Sequence, residues 1–313
     1  MKSVDIVLPC FNESESLPNF LREFVKLRTR QRNRFNIGLV LIDNGSTDLT
    51  FEIAKTFAEL NTNIKCIRLS RNFGKEASLT AGLDATSGDA CIPMDCDLQD
   101  PMEAVDLLLD AWTDGIEVVL AKREYDGRIF NWRIVASRFY LKFFNRISDT
   151  HIENSVGEFR LMSRKVIEAF KLMPETERFT RGLFAWMGFK SIEISYSRGK
   201  RENGESKFNF IKLFTLGIHG LTSFSIKPLR IATFLGLIGS ISTFLYAVTL
   251  IFLAFGNEIV IPGYASTLVS ILLLGSIQLL TIGILGEYVG KTLLEAKRRP
   301  VYLIQDRFEN NGK

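Results

Sequence analysis

The sequence predicts an α/β fold, a mostly parallel sheet covered by helices on both faces, followed by two membrane-spanning helices near the C-terminus. Three observations predict it. Short apolar runs alternate with amphipathic stretches through the N-terminal part of the chain. Polar clusters follow those runs directly, where the carboxyl ends of parallel strands collect ligands. Ile231–Gly256 and Ile259–Gly286 contain no Asp, Glu, Lys or Arg, and each exceeds the ~20 residues that a helix needs to cross a hydrocarbon core.

The strand-like runs are Val4–Pro9, Gly38–Asp43, Ile64–Leu69, Ala90–Asp95 and Val118–Ala121. Apolar on both faces and separated by helical periodicity, they fit a buried parallel sheet. Two later stretches have the pattern of helices lying on a membrane. In Arg128–Ile147, Trp132, Phe139, Tyr140 and Phe143 share one face while Arg138, Lys142 and Arg146 run beside it; Phe208–Ile226 repeats the pattern and leads into the first span. An ordinary helix packed on the sheet remains the alternative for the first of them. Small residues in the spans, Gly236, Gly239 and Ser240 in one and Gly275, Ser276, Gly283 and Gly286 in the other, allow close helix packing.

Charge orients the spans. Lys227 and Arg230 precede the first, Lys291, Lys297, Arg298 and Arg299 follow the second, and the connection Asn257-Glu258 carries no cation. The positive-inside bias then puts both termini in the cytosol. The start, Met1-Lys2-Ser3-Val4-Asp5, has neither a secretory signal nor a transit peptide pattern. The expected organisation is a catalytic domain over 1–207, an amphipathic juxtamembrane helix over 208–230, two transmembrane helices over 231–287 and a cytosolic tail over 288–313. A net charge of +4 argues against a nucleic-acid partner and fits contact with anionic lipid. Cys10, Cys66, Cys91 and Cys96 lack metal-ligand pairing with His151 or His219 and are read as reduced structural thiols.

Chemistry concentrates at Asp95-Cys96-Asp97. On an extended chain, residues two apart project to the same side, so the two carboxylates could hold Mg²⁺ or Mn²⁺, hard cations that favour oxygen ligands. An isolated Asp-x-Asp is also a common acidic turn. The pocket elements have a bland counterpart too: Pro9 could simply end a strand, and Asp43-Asn44-Gly45-Ser46 could be a turn with a helix cap at Ser46 or Thr47.

Four segments give the pattern its context: Val7-Leu8-Pro9-Cys10-Phe11-Asn12-Glu13, Ile42-Asp43-Asn44-Gly45-Ser46-Thr47-Asp48, Arg71-Asn72-Phe73-Gly74-Lys75-Glu76 and Met94-Asp95-Cys96-Asp97-Leu98-Gln99-Asp100-Pro101. In this order they resemble the inverting nucleotide-sugar transferases of glycosyltransferase family 2. Val156-Gly157-Glu158-Phe159-Arg160-Leu161-Met162-Ser163-Arg164 and the two spans resemble, more narrowly, the bactoprenol glucosyltransferases of O-antigen modification.

The resemblance implies a GT-A (Rossmann-like) domain in which Pro9, Asn12, Glu13 and Asp43 hold the nucleoside. It places Arg71 and Lys75 near the donor phosphates and Asp95 and Asp97 on a divalent metal, with Gln99 in the same motif. It further implies that the segment from Tyr196 to Phe208, with Arg198, Arg201, Ser206 and Lys207, contacts the donor diphosphate and the acceptor phosphate; a polybasic stretch attracted only to anionic lipid is the alternative. Glu158 stands where relatives usually carry Asp, so it is read as orienting the acceptor or metal shell more than as an obligatory base. A lipid phosphate already carries an anionic oxygen.

The implied reaction is transfer of a hexose, glucose from UDP-glucose, onto undecaprenyl phosphate at the cytosolic face of a bacterial inner membrane, for lipopolysaccharide or other envelope modification. GDP-mannose or UDP-N-acetylglucosamine as donor, or a non-catalytic membrane scaffold, are the alternatives. The resemblance also implies a homo-oligomer, a tetramer among relatives, and the tail Lys297–Ile304 looks able to add a strand to a neighbour. A processive polysaccharide synthase is disfavoured, because none of Trp112, Trp132 and Trp186 follows an arginine as its Gln-x-x-Arg-Trp element requires.

Overall fold

The computed structural model describes residues 1–124, 156–176, 178–197, 227–255 and 263–310. The expected interface helices over 128–147 and 208–226, and Arg198, Arg201, Ser206 and Lys207, lie outside them.

Strand β1 (Lys2–Cys10) is central, with Ile6, Val7 and Leu8 wholly buried. It pairs in parallel with β2 (Phe35–Asp43) on one side and β4 (Ala90–Pro93) on the other, so that Ile6 lies level with both Leu39 and Ile92. β3 (Ile64–Leu69) extends the parallel set beyond β2. Burial on both faces is what turns these strands into the nearly continuous apolar runs seen in the sequence.

The other side of the sheet departs from the expectation of a mostly parallel arrangement. β6 (Val156–Ser163) inserts antiparallel between β4 and β5 (Val118–Glu124), and β7 (Ser191–Ser197) runs parallel to β5 at the edge. At the opposite edge β8 (Ile304–Asn310) runs antiparallel to β3, with Cys66 level with Phe308. The full order is β7-β5-β6-β4-β1-β2-β3-β8. The tail therefore adds its strand to the chain's own sheet.

Helices α1 (Leu17–Gln31), α2 (Thr50–Leu60), α3 (Lys75–Ala85) and α4 (Met102–Ala111) fill the parallel crossovers, followed by α5 (Arg164–Lys171) and α6 (Thr180–Met187). In α1, Pro18 sits in the first turn, where a missing N–H costs little, and Leu17, Phe20, Leu21, Phe24 and Leu27 form the buried stripe. α3 lies unusually close to the sheet because its facing residues are small. A Cβ on Gly82 would stand 2.2 Å from Val7 Cγ1. That approach fixes the height of Lys75 and Glu76 at the start of α3.

A separate unit contains two long helices, α7 (Lys227–Phe255) and α8 (Tyr264–Ala296). By length and composition both could cross a membrane, through Leu229–Tyr246 and Leu273–Ala296. A Cβ on Gly239 would stand 3.7 Å from Leu274 Cδ2 across the helix pair, whereas one on Gly236, Gly275, Gly283 or Gly286 would meet open space among the described residues. Of these glycines, only Gly239 serves contact within the helix pair.

Candidate active site

The residues expected at the site come from the carboxyl ends of β1, β2 and β4, joined by β6. Asp95 follows β4. The strand stops at Pro93 and Cys96-Asp97 form a turn, so the extended-chain argument for two carboxylates on one side does not apply. Leu98 takes a positive φ of 51° as the chain reverses. Gln99, buried in that turn, donates both its backbone N–H and its side-chain amide to Asp97. Asp95 faces elsewhere.

Its partner is Lys75. The ammonium lies 2.7 Å from Asp95 Oδ1 and 2.8 Å from Glu158 Oε2, linking the start of α3, the end of β4 and the middle of β6. Burial pulls the ammonium toward the neutral form, but the two carboxylates outweigh it and hold its pKa above the ordinary lysine value. These groups and Pro9 line one pocket, together with Asp100, Arg123 and Arg181.

Asp100 belongs to a second polar chain. Tyr196 donates its phenolic proton to Asp100 Oδ1 at 2.5 Å, while Arg123 reaches Tyr196 Oη at 3.0 Å and Asp100 Oδ2 at 3.4 Å. Burial and the Asp100 bond push the Tyr196 phenol up to about 12. Phe159 packs edge-on against the same tyrosine, with ring centroids 5.6 Å apart. Glu158 therefore sits on a strand whose next residue is anchored in the core.

The segments expected to hold a nucleoside converge beside this pocket. Asp43 is 2% exposed; its Oδ1 accepts the Ser46 N–H at 3.1 Å, and its Oδ2 pairs with Arg68 Nε at 3.2 Å. Burial raises its pKa despite those partners. Asn12, at φ 55°, donates its N–H to Ser46 Oγ at 2.9 Å and accepts from Thr47 N–H at 2.9 Å. Glu13 donates its backbone N–H to Thr50 Oγ1 at 2.8 Å, and its carboxylate accepts from Ser16. Burial raises the Glu13 pKa, the Ser16 bond opposes it, and Asp97 and Asp95 raise it further.

The suggested helix cap at Ser46 or Thr47 is not what these residues do. α2 begins later, at Thr50, and both residues bind Asn12 instead, tying the loops after β1 and β2 together. Gly45, at φ 71°, lets this loop meet the one after β3, since a Cβ there would lie 2.6 Å from the Arg71 carbonyl carbon. Arg71 does not join the Lys75 ion pair; its guanidinium covers the Phe73 ring at 4.2 Å. All four cysteines are free and buried, as expected.

The donor set suits a hard divalent cation. Asp95 Oδ1 and Glu158 Oε2 already converge on a positive charge, with the Lys75 ammonium in that place. Among the described residues no group of three or more His, Cys, Asp and Glu forms a complete cage. An ion here would therefore complete its shell with phosphate oxygens and water, the usual habit of Mg²⁺ at phosphate sites.

Several participants escaped the sequence analysis: Arg68 on Asp43, Arg123 and Tyr196 on Asp100, and Thr180 on Glu76. Their partners Asp43, Glu76 and Asp100 stood within recognised motifs, and Tyr196 opened the segment read as a phosphate contact, but none of these pairings was foreseen.

Residues 5–170 match the family described as Glycosyl transferase family 2. A "Bactoprenol glucosyl transferase" of Shigella phage SfX is 45% identical over 312 residues, covering 97% of this chain and 99% of its own. A "Prophage bactoprenol glucosyl transferase homolog" of Escherichia coli K12 is 44% identical over 310 residues, covering 96% and 98%. An "SfII prophage-derived bactoprenol glucosyl transferase" of Shigella flexneri is 44% identical over 316 residues, covering 98% and 99%. Matched over residues 5–170 by the family and over nearly its whole length by these relatives, the chain belongs to glycosyl transferase family 2 and is a glycosyltransferase.

Proposed function

We propose that this chain transfers a hexose, glucose from UDP-glucose, onto undecaprenyl phosphate, giving a lipid-linked sugar for O-antigen or envelope modification. The observation that carries the reading is the Lys75 ammonium held between Asp95 and Glu158 at the carboxyl edge of the sheet. It gathers one cation and two acids at the place where a diphosphate must leave. Relatives named for bactoprenol glucosyl transfer, similar over almost the full chain, supply the acceptor class and the sugar.

In this mechanism Pro9, Asn12, Glu13 and the buried Asp43 form the nucleoside side. Lys75 places positive charge beside the diphosphate, and Arg71 lies nearby on the same loop. The acceptor phosphate oxygen attacks the anomeric carbon as the bond to UDP breaks, and UDP leaves with the bonding electrons. One such displacement inverts the anomeric centre. No proton has to be removed from the nucleophile, so Glu158 serves to orient Lys75 and the acceptor. Asp95 and, on release from Gln99, Asp97 would hold Mg²⁺ or Mn²⁺, with Glu158 beside Asp95 orienting the metal shell, and the ion would neutralise charge on the departing diphosphate. Arg198, Arg201, Ser206 and Lys207 would contact the phosphates.

α7 and α8 form the membrane hairpin in this reading. Cations flank them on the sides read as cytosolic, which puts the catalytic domain and both termini in the cytosol of a bacterial inner membrane.

The test is direct. Membranes containing the chain are incubated with labelled UDP-glucose and undecaprenyl phosphate, and label is sought in a chloroform-soluble, mild-acid-labile product that disappears with EDTA. Absence of such a product with UDP-glucose, while another nucleotide sugar yields it, would correct the sugar. Absence with every donor would overturn the reading.

A further inference from the structure

The pocket holding Lys75, Asp95 and Glu158 is lined by three cations. Two are committed: Lys75 to Asp95 and Glu158, and Arg123 to Asp100 and Tyr196. The third, Arg181, is exposed, and its guanidinium makes no ion pair or hydrogen bond among the described residues. Arg181 feels the Glu76 charge but has no hydrogen-bonded anion among the described residues, so beside a site where two phosphate-bearing substrates would meet it is a place for an anion that has not yet arrived.

How Arg181 is held is equally specific. Its neighbour Thr180 is wholly buried. The Thr180 N–H donates to Glu76 Oε2 at 3.3 Å, and its hydroxyl donates to the same oxygen. Glu76 directly follows Lys75. One clamp thus joins two adjacent pairs, Lys75-Glu76 on α3 and Thr180-Arg181 on α6, and so sets where the two cations stand relative to each other.

Two phosphate-bearing substrates meet in the proposed reaction, and their charges repel. The donor side already has Lys75 and the acids that would hold a metal ion. Arg181 enters on a different element, α6, and lines the pocket together with Glu158 and Phe159 of β6. A guanidinium can grip a terminal phosphate with two parallel N–H bonds, leaving the third oxygen to attack. We propose that Arg181 binds the phosphate of the acceptor and that the Glu76–Thr180 clamp is the positioning device that sets it there. The inference rests on the transfer reaction proposed above.

The experiment measures transfer by the full chain in detergent, varying a short-chain polyprenyl phosphate at saturating donor and then the reverse. Arg181→Ala is expected to raise the acceptor KM ~10- to 100-fold, from the loss of a charge-assisted hydrogen-bonded contact. The donor KM should stay within ~2-fold, because uniform binding to the other substrate is untouched. Arg181→Lys should recover part of the loss. Thr180→Ala should shift the acceptor KM in the same direction and Thr180→Ser should restore it, which a role in folding alone would not produce. Should Arg181→Ala fail to fold, Arg181→Lys and the Thr180 pair decide the question by the same split. An unchanged acceptor KM, or a rise confined to the donor KM, overturns the assignment. Wild-type protein that transfers nothing to polyprenyl phosphate would sink the functional reading itself and this inference with it. Wild-type protein that transfers normally, beside an indifferent Arg181→Ala, sinks the inference alone.

Discussion

Lys75 Nζ stands 2.8 Å from Glu158 Oε2, so a residue at the start of α3 is fixed by one in the middle of β6. The same ammonium holds Asp95. Removing it leaves two acids facing one another and, in the proposed reaction, takes away positive charge beside the leaving group. Lys75→Ala should lower kcat by ~10²- to 10³-fold, the scale observed for a lost charge-stabilising donor. Steady-state kinetics with saturating substrates would show it, and an effect confined to KM would contradict this role.

Asp95 and Asp97 carry the metal proposal. Replacing both with Ala should lower turnover at least ~10²-fold. It should also abolish the enhancement of water proton relaxation when Mn²⁺ is titrated into protein with UDP. A double variant that transfers sugar at the wild-type rate removes the acidic turn from the mechanism.

Glu158 separates two roles that the fold leaves adjacent. General-base catalysis contributes ~10²- to 10⁴-fold. If Glu158 orients Lys75 and the acceptor instead, Glu158→Gln keeps the hydrogen bonding and should cost less than ~10-fold in kcat. Near-total loss of turnover with donor and acceptor binding intact would make it the base after all.

Glu76 gives the fold a pH signature. Burial first, and then the neighbouring Glu158, push its carboxyl up to about 7, against the Thr180 bond and the charges of Lys75 and Arg181. The folded protein thus binds this proton more tightly than the unfolded chain does. Its contribution to stability is complete below the ordinary glutamate pKa and is lost as pH rises through about 7. Melting temperature should fall over that range, and Glu76→Gln should flatten the slope. A Glu76→Gln profile parallel to wild type would place the titration elsewhere.

Gly82 tests the close approach of α3. A methyl there meets Val7 Cγ1, and overpacking of this kind costs ~1–3 kcal/mol. Gly82→Ala should lower the melting temperature and displace Lys75 enough to reduce kcat. Unchanged stability would mean that helix and strand separate freely.

The parallel half of the sheet was legible because strands buried on both faces have to be apolar throughout. β1, β2 and β3 begin and end close to where their apolar runs do. The loops after β1, β2 and β4 were legible as motifs. β6, β7 and β8 were not read as strands; Glu158 of β6 was found only through its motif, and the contacts that Tyr196 of β7 makes were missed. Tyr196 meets Asp100 only because β7 pairs with β5, and Thr180 reaches Glu76 across 104 positions of chain. Such pairs leave no local periodicity. The Asp95-Cys96-Asp97 geometry was misjudged for a related reason: the strand stops at Pro93, and a turn rather than the pleat directs each carboxylate.

β8 also has a bearing on biogenesis. It covers the outer edge of β3 and comes after α7 and α8 in the chain. While a ribosome is still making those long apolar helices, β3 has a row of unpaired amides, the type of edge that recruits foreign strands. Completion of the catalytic sheet must therefore wait for the helices to be synthesised. A nascent chain stalled before Ile304 should be more vulnerable to aggregation and proteolysis than one released whole.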